Sequence, residues 1–291
     1  MKPVTNAANA DNRFRAGNTP VILSRLPCLG ALTTLFVLTL RQHLRGRRLL
    51  VLSLLFAIPS VLVLLVNLLP PHPPPIAEVQ FVFIFNFIPH ALAPLAALLY
   101  ATGIIQDEVE EQTLTYLLVR PLPRWMLYIV KLLATLVVIS VITAFFTTVT
   151  FAVITLTGGG SITSDLMRQA MKTSVALTLA QAGYCGLFGL LGLLTRRSLI
   201  VGVLYIFLFE GVLASMDTVV RKMTVMYHFR VLILRWLEPM NGSANWSIKL
   251  ATAPDARTCV LTLLSVGLVL TVVAAFFFAS TEFRMKTPEG N

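Results

Sequence analysis

Charged side chains are scarce in this chain. Asp, Glu, Lys and Arg make up 12% of its 291 residues, whereas an ordinary soluble domain carries roughly a quarter. Apolar residues make up 56%, the mean hydropathy is +0.81, and the apolar residues gather into blocks of about 20, the length that crosses a ~30 Å hydrocarbon core. The composition therefore excludes an ordinary soluble domain and predicts an integral membrane protein.

The sequence also lacks the patterns that accompany most catalytic and metal sites. Its three cysteines, Cys28, Cys185 and Cys259, lie far apart and form no Cys-x-x-Cys pair, so neither a disulfide framework nor a zinc site is predicted. No G-x-x-x-x-G-K-[ST] loop and no H-E-x-x-H pattern occurs, and these are the usual phosphate and zinc motifs. We therefore expect no catalytic residue, no metal and no cofactor on this chain.

Basic residues are in excess, with a net charge of +10, and such an excess is often a sign of nucleic-acid binding. Here the Lys and Arg side chains lie mainly in short segments between apolar blocks, without the interleaved aromatics on which bases stack. Basic flanks of this kind orient membrane helices. We expect the lipid bilayer as a partner and no nucleic acid.

Six apolar segments predict an all-α membrane protein with six transmembrane helices. The transmembrane domain is predicted over 49–280, because each of its apolar segments approaches spanning length. Pro89 and Pro94 fall inside the second segment and predict kinks there. The six predicted spans are about 49–69, 81–105, 125–156, 173–194, 199–216 and 258–279.

Residues 1–48 are predicted to form a cytoplasmic tail and an interfacial helix. Leu26–Leu40 is apolar but covers only roughly 22 Å as a helix, too short to cross the hydrocarbon core. The alternative, a signal-peptide core, requires a small-x-small cleavage site. None follows, and Arg41 and Arg45 stand there instead. A helix lying along the membrane surface is the favoured interpretation.

The distribution of Lys and Arg predicts the orientation of the chain. Most of the 23 basic residues fall on the side of the N-terminus, and basic loops remain in the cytoplasm. Both termini, including the tail 281–291, are therefore predicted to be cytoplasmic, in the inner membrane of the cell. The long loop 217–256 then lies outside. Its segment Val219–Leu237 mixes apolar with basic residues, which predicts extra helices dipping into the outer leaflet.

The most polar internal segment, Gln106–Lys131, reads QDEVEEQTLTYLLVRPLPRWMLYIVK. Its acidic cluster begins directly after the second predicted span, and acidic residues favour a helix N-terminus. The pattern resembles that of the ABC-2 family of transporter permeases, which is E-x-E-x-G-T-L followed at set distances by Pro, Arg and Lys. Gln112 stands where the family has glycine. The matching residues are Glu108, Glu110, Thr113, Leu114, Pro121, Arg124 and Lys131.

The resemblance implies a permease subunit of an ATP-binding cassette transporter, with export as the favoured direction. It implies a cytoplasmic coupling helix between spans two and three, in which Glu108, Glu110, Thr113, Pro121, Arg124 and Lys131 couple the permease to an ATPase. That ATPase is expected on a separate chain, together with its ATP and Mg. A second permease subunit is also implied, in a homodimer or a heterodimer.

Glu210 lies near the middle of the fifth predicted span, where a bare carboxylate costs several kcal/mol. We interpret it either as lining a translocation path or carrying a proton, or as protonated or hydrogen-bonded to a neighbouring span. Asn86 and His90 lie one helical turn apart on the second span and share a face, so they are candidates for the same path. An ion-coupled secondary transporter or channel using Glu210 is the alternative function. Such proteins commonly contain inverted repeats, and this sequence shows none.

Four glycines recur every three residues in the fourth predicted span. Small residues placed at this spacing let neighbouring helices approach closely, so we interpret them as packing residues. They are Gly183, Gly186, Gly189 and Gly192.

Overall fold

The computed structural model describes residues 29–69, 74–110, 123–195, 197–213, 219–237, 246, 248 and 250–280. Over these ranges the chain is helical, with no β-strand, as the all-α prediction requires. The helices are α1, Leu29–Arg45; α2, Arg47–Leu68; α3, Ile76–Gln106, whose last turns continue to Glu110; α4, Arg124–Thr157; α5, Ser164–Leu194; α6, Ser198–Leu213; α7, Val225–Trp236; and α8, Ala256–Ser280.

Five of these helices, α2, α3, α4, α5 and α8, are long and apolar enough to cross a membrane. The remaining predicted crossing, the fifth, at 199–216, corresponds to α6, which has eight α-helical and eight π-helical residues. A helix of that length rises at most about 24 Å, less than the ~30 Å of the hydrocarbon core. Within the described ranges the structure thus gives five helices of spanning length and one shorter apolar helix.

Helix α3 is irregular where the sequence predicts kinks. Its segment Phe81–Leu92 is π-helical and contains Pro89, and regular α-helix resumes at Ala93–Ala101 with Pro94 in its first turn. Proline removes a backbone donor and crowds the preceding turn, which explains the wider turns here. π-Helical turns inside α-helices are frequent at functional sites.

Helix α5 is the centre of the bundle and packs against α8, α4, α3, α7 and α6. Its glycines make this possible. A Cβ atom on Gly186 would lie 2.8 Å from the carbonyl oxygen of Gly267 on α8, and one on Gly192 would lie 2.8 Å from the carbonyl oxygen of Thr102 on α3. The interpretation as packing residues is confirmed for Gly186 and Gly192, because only a missing side chain permits such backbone approach.

Helix α4 is tied to its neighbours by side-chain hydrogen bonds between small polar residues. Such bonds join α4 to α1, to α2 at two levels and to α5, and they replace the hydrophobic effect that cannot drive helix association in lipid. The pairs are His43 and Thr135 at 3.0 Å, Ser60 and Thr150 at 2.9 Å, Asn67 and Thr157 at 2.6 Å, and Gln181 and Thr143 at 2.6 Å.

The peripheral helices α2, α6 and α8 expose large apolar side chains. Leu54 is 74% exposed, Phe207 69% and Phe276 74%. An apolar surface spread over several helices is unusual in a soluble monomer. It is the surface expected of helices that face lipid.

The predicted outer loop contains two helical elements. A 3-10 turn covers Val219–Met223, and α7 follows it. Helix α7 packs against α5 and α8 and also contacts the π-helical segment of α3. The prediction of extra helices in this loop is confirmed, and their placement in the outer leaflet stays a prediction.

Candidate functional site

Glu210 is directed into the protein from the π-helical segment of α6, Ile206–Leu213. It is 0% exposed and is the buried residue of that segment. The aromatic side chains just before it are turned outward, with Phe207 69% and Phe209 41% exposed. The carboxylate is therefore on the inner face of an otherwise lipid-facing helix.

Three kinds of polar group act on the Glu210 carboxylate. They are the Tyr184 hydroxyl on α5, the Arg230 guanidinium on α7, and the backbone N–H groups of Val225 and Met226. Neither carboxylate oxygen reaches the geometry of a full hydrogen bond with a described residue. The carboxylate thus faces polar groups on α5 and α7.

Val225 and Met226 are the first two residues of α7. Thr224 is the N-cap, and its side-chain oxygen accepts a hydrogen bond of 3.2 Å from the Tyr227 N–H. The N-terminus of a helix carries unpaired N–H groups and a partial positive charge. Glu210 therefore supplies a negative charge where the dipole of α7 favours one, and Arg230 adds a full positive charge.

Arg230 also connects α7 to the π-helical segment of α3. Its Nη2 atom lies 3.3 Å from Nδ1 of His90, and its guanidinium lies 5.6 Å from the centre of the Trp246 ring. His90 in turn interacts with the backbone carbonyl of Glu210. The two π-helical segments, one on α3 and one on α6, thus meet at this point with α7 between their polar groups.

Asn86 extends the cluster by one helical turn of α3. Its side-chain nitrogen donates to the Phe81 carbonyl at 2.9 Å, and its oxygen accepts from Nε1 of Trp246 at 3.0 Å. The Trp246 carbonyl accepts from the Arg221 guanidinium. All three path candidates, Glu210, Asn86 and His90, therefore belong to one polar cluster, hereafter the Glu210 cluster.

Sequence reasoning identified three members of the Glu210 cluster and missed the others. Tyr184 was missed because a tyrosine inside an apolar span has no distinctive pattern. Arg230 could have been recognised as a candidate, because a basic residue in an apolar segment needs a partner. The partner itself could not be identified, because it lies on another helix. Among the described residues, no group of three or more His, Cys, Asp or Glu is placed to hold a metal ion.

The predicted coupling residues are only partly within the described ranges. Glu108 and Glu110 lie in the helical segment Gly103–Glu110, in which the last turns of α3 continue. Thr113 and Pro121 lie outside the described residues. Arg124 is the exposed first residue of α4, whereas Lys131, one to two turns later, is 4% exposed. Their role in coupling stays a prediction, and Lys131 would contribute from inside the bundle.

Gln106, at the start of the acidic segment, bridges two helices in a way that the sequence did not reveal. Its amide nitrogen donates to the Thr195 carbonyl at 2.9 Å, and its amide oxygen accepts from the Ser198 hydroxyl at 2.8 Å. These two residues flank the turn between α5 and α6. The end of α3 and this turn therefore lie at the same end of the bundle.

The fold is that of a multi-pass helical membrane protein with a buried polar cluster. A family model described as ABC-2 family transporter protein matches residues 42–212. Because the match covers more than half of the chain, this protein belongs to the ABC-2 family and is a membrane permease of an ABC transporter. No curated protein matches the chain. The matched region includes Asn86, His90 and Glu210 and ends before α7.

Proposed function

We propose that the chain is the membrane-spanning subunit of an ABC exporter. In this proposal two permease subunits pair, as a homodimer or a heterodimer, and each docks a separate ATPase that binds ATP and Mg. Closure of the ATPases around ATP tilts the spans and opens a path outward. Family membership supports the permease role, and the direction, the ATP use and the partners are the added steps.

The acidic pattern that begins at Gln106 carries the proposal. It follows α3 directly, and the Gln106 side chain bonds to both sides of the turn between α5 and α6. A force applied by an ATPase to the following residues, including Glu108 and Glu110, passes to α3 along the chain and to α5 through these hydrogen bonds. The bond to Ser198 also reaches α6, so one docking segment acts on three helices.

In the proposed topology the chain crosses the inner membrane of the cell six times, and both termini lie in the cytoplasm. In this topology α6 enters the membrane at the cytoplasmic face, and the chain reaches the outer face in the loop that contains α7. Helix α1 lies along the inner surface, because Leu38 is 56% and Leu44 49% exposed and Arg41 and Arg45 are suited to lipid phosphates.

The docking of the ATPase is tested by reversing two charges, Glu108→Lys together with Glu110→Lys. Like charges brought together at an interface cost several kcal/mol, and a loss of about 3 kcal/mol lowers affinity roughly a hundredfold. We expect the double variant to insert in the membrane but to lose the ATPase during affinity purification. The measurement is the ratio of ATPase to permease in the purified sample.

Glu78→Lys is the matched control, because Glu78 is an exposed carboxylate near the other end of α3. It is expected to keep the parent ratio. A double variant that binds the ATPase and stimulates ATP hydrolysis like the parent contradicts the docking role. Transport that continues in vesicles without any ATPase favours the alternative, an ion-coupled transporter using Glu210.

A further inference from the structure

The two ends of α7 are held by different partners. At the C-terminal end, Nζ of Lys172 donates to the Trp236 carbonyl at 2.8 Å. Arg235 donates to the carbonyls of Pro254 and Ala253, each at 2.8 Å, and lies 3.6 Å from the Asp255 carboxylate. This end is fastened by several charge-assisted hydrogen bonds, which are stronger than neutral ones.

The N-terminal end of α7 rests on the Glu210 carboxylate. That carboxylate is 0% exposed, yet neither oxygen forms a full hydrogen bond with a described residue. A buried charge with incomplete hydrogen bonding is costly. An arrangement in which Glu210 regains donors or water therefore recovers part of this cost, although the N-terminus of α7 and Arg230 attract the carboxylate where it is.

At this end α7 packs against α5 through ordinary side-chain contact, with Val225 7% and Met226 1% exposed. A Cβ atom on Gly183 of α5 would lie 3.5 Å from Cγ2 of Val225, an ordinary van der Waals contact. By contrast, a Cβ atom on Gly186 would lie 2.8 Å from the Gly267 carbonyl oxygen, so α5 and α8 interlock there. The contact of α5 with α7 at Gly183 is therefore not interlocked in the way that the contact of α5 with α8 is at Gly186.

We propose that Glu210 is a releasable anchor for α7, and that α7 pivots on its C-terminal end during the transport cycle. This inference rests on the proposed function, since nucleotide binding supplies the motion. The route is helix α3, which continues into the docking segment at one end and carries His90 against Arg230 in its π-helical segment. Glu210 is thus a positioning residue that acts on transport through α7.

The test is a disulfide between α5 and α7, made with Gly183→Cys and Val225→Cys after Cys28, Cys185 and Cys259 are replaced by serine. A Cβ atom on Gly183 would lie 3.5 and 3.9 Å from the two γ-carbons of Val225, the positions that the sulfur of a cysteine at 225 can take, so the two cysteines are within reach of each other when α7 packs against α5. The pair is oxidised with copper phenanthroline in the permease–ATPase complex, in nanodiscs, without nucleotide and with ATP plus vanadate. We expect the cross-linked fraction to differ at least fivefold between the two states. Equal fractions contradict the pivot.

Glu210→Gln in this double-cysteine protein tests the anchor itself. The amide keeps the shape and loses the charge, so we expect the cross-linked fraction in the high-yield state to fall at least threefold. A control pair, Ser60→Cys with Thr150→Cys, replaces two hydroxyl oxygens that lie 2.9 Å apart. Its cross-linked fraction should be the same whether residue 210 is glutamate or glutamine. If Glu210→Gln lowers the cross-linked fraction of both pairs, the variant is misfolded and a specific anchor is contradicted. An unchanged fraction at Gly183 and Val225 also contradicts the anchor.

Hydrogen–deuterium exchange of the unsubstituted complex is a second measurement. We expect residues 225–228 to exchange faster than 232–236, with the difference changing between the two nucleotide states. Exchange rates that are equal at the two ends of α7 and equal in the two nucleotide states contradict the pivot. A permease that purifies without any ATPase contradicts the proposed function, whereas unchanged cross-linking in a complex that hydrolyses ATP contradicts only this inference.

Discussion

At the scale of single residues, the Glu210 carboxylate is the side chain whose charge matters most to its surroundings. Replacing it with glutamine keeps its volume, so we expect Glu210→Gln to fold like the parent and to change the rate of ATP hydrolysis by the complex in proteoliposomes. Glu210→Lys places a second cation against Arg230, and a buried charge without its partner costs about 3–5 kcal/mol. We expect Glu210→Lys to lower the thermal unfolding midpoint as well.

Size-exclusion profiles, unfolding midpoints and hydrolysis rates of the two variants separate these effects. A Glu210→Gln complex that hydrolyses ATP at the parent rate and responds to nucleotide like the parent leaves Glu210 with a packing role only. Equal damage by glutamine and lysine would mean that loss of the negative charge alone is enough to disrupt the site, since glutamine keeps the shape, and would contradict the expectation that Glu210→Gln folds like the parent.

The sequence identified Glu210, Asn86 and His90 because polar groups inside apolar segments are costly and need partners. It did not identify those partners. Asn86 meets Trp246 and His90 meets Arg230 across large sequence separations, and such contacts leave no local pattern. Sequence alone therefore marked the site and left its geometry open.

At the scale of helices, the existence of the long helices follows from apolar runs, and their ends follow from capping. Helix α5 begins at Ser164, before the predicted 173, because Thr163 caps it and Asp165 lies in its first turn. Both features stabilise a helix N-terminus. The extra turns are polar, so hydropathy alone did not reveal them. Helix α6 is described from Ser198 to Leu213, and positions 214–216 of the predicted span lie outside the described residues.

The interlock of α5 with α8 gives a prediction about packing. In Gly186→Ala the new methyl group would lie 2.8 Å from the Gly267 carbonyl oxygen and 3.1 Å from Cβ of Leu270. Overpacking of this kind costs about 1–3 kcal/mol. We expect the thermal unfolding midpoint of the detergent-solubilised protein to fall.

Gly183→Ala is the matched substitution on the same helix, where the added methyl group makes only a contact of 3.5 Å. It should unfold within a degree or two of the parent. If both variants unfold alike, the close approach of α5 and α8 does not limit stability.

At the scale of the whole molecule, α3 joins the two regions that matter for function. One end continues into the acidic segment proposed to dock the ATPase, and its π-helical segment contacts the Glu210 cluster. Family membership was predictable from the spaced motif between Glu108 and Lys131, and the family model confirms it. The route from docking segment to cluster needed the fold, since it depends on which helices pack together.

The side of the membrane on which each loop lies tests the account most directly, because the docking segment must face the ATPase. Single cysteines are placed at Ser161→Cys, in the exposed turn between α4 and α5, and at Arg197→Cys, in the exposed turn between α5 and α6. Ser161 is preferred to Gly159, whose φ of 78° is strained for cysteine. Both are made in the background in which Cys28, Cys185 and Cys259 are serine.

An impermeant maleimide is applied to intact cells and to inside-out vesicles. The account predicts that Ser161→Cys reacts in intact cells and Arg197→Cys only in inside-out vesicles, at the face that carries Gln106 and the docking segment. Reaction of both cysteines from the same side, or of Arg197→Cys in intact cells, would contradict the six-crossing permease.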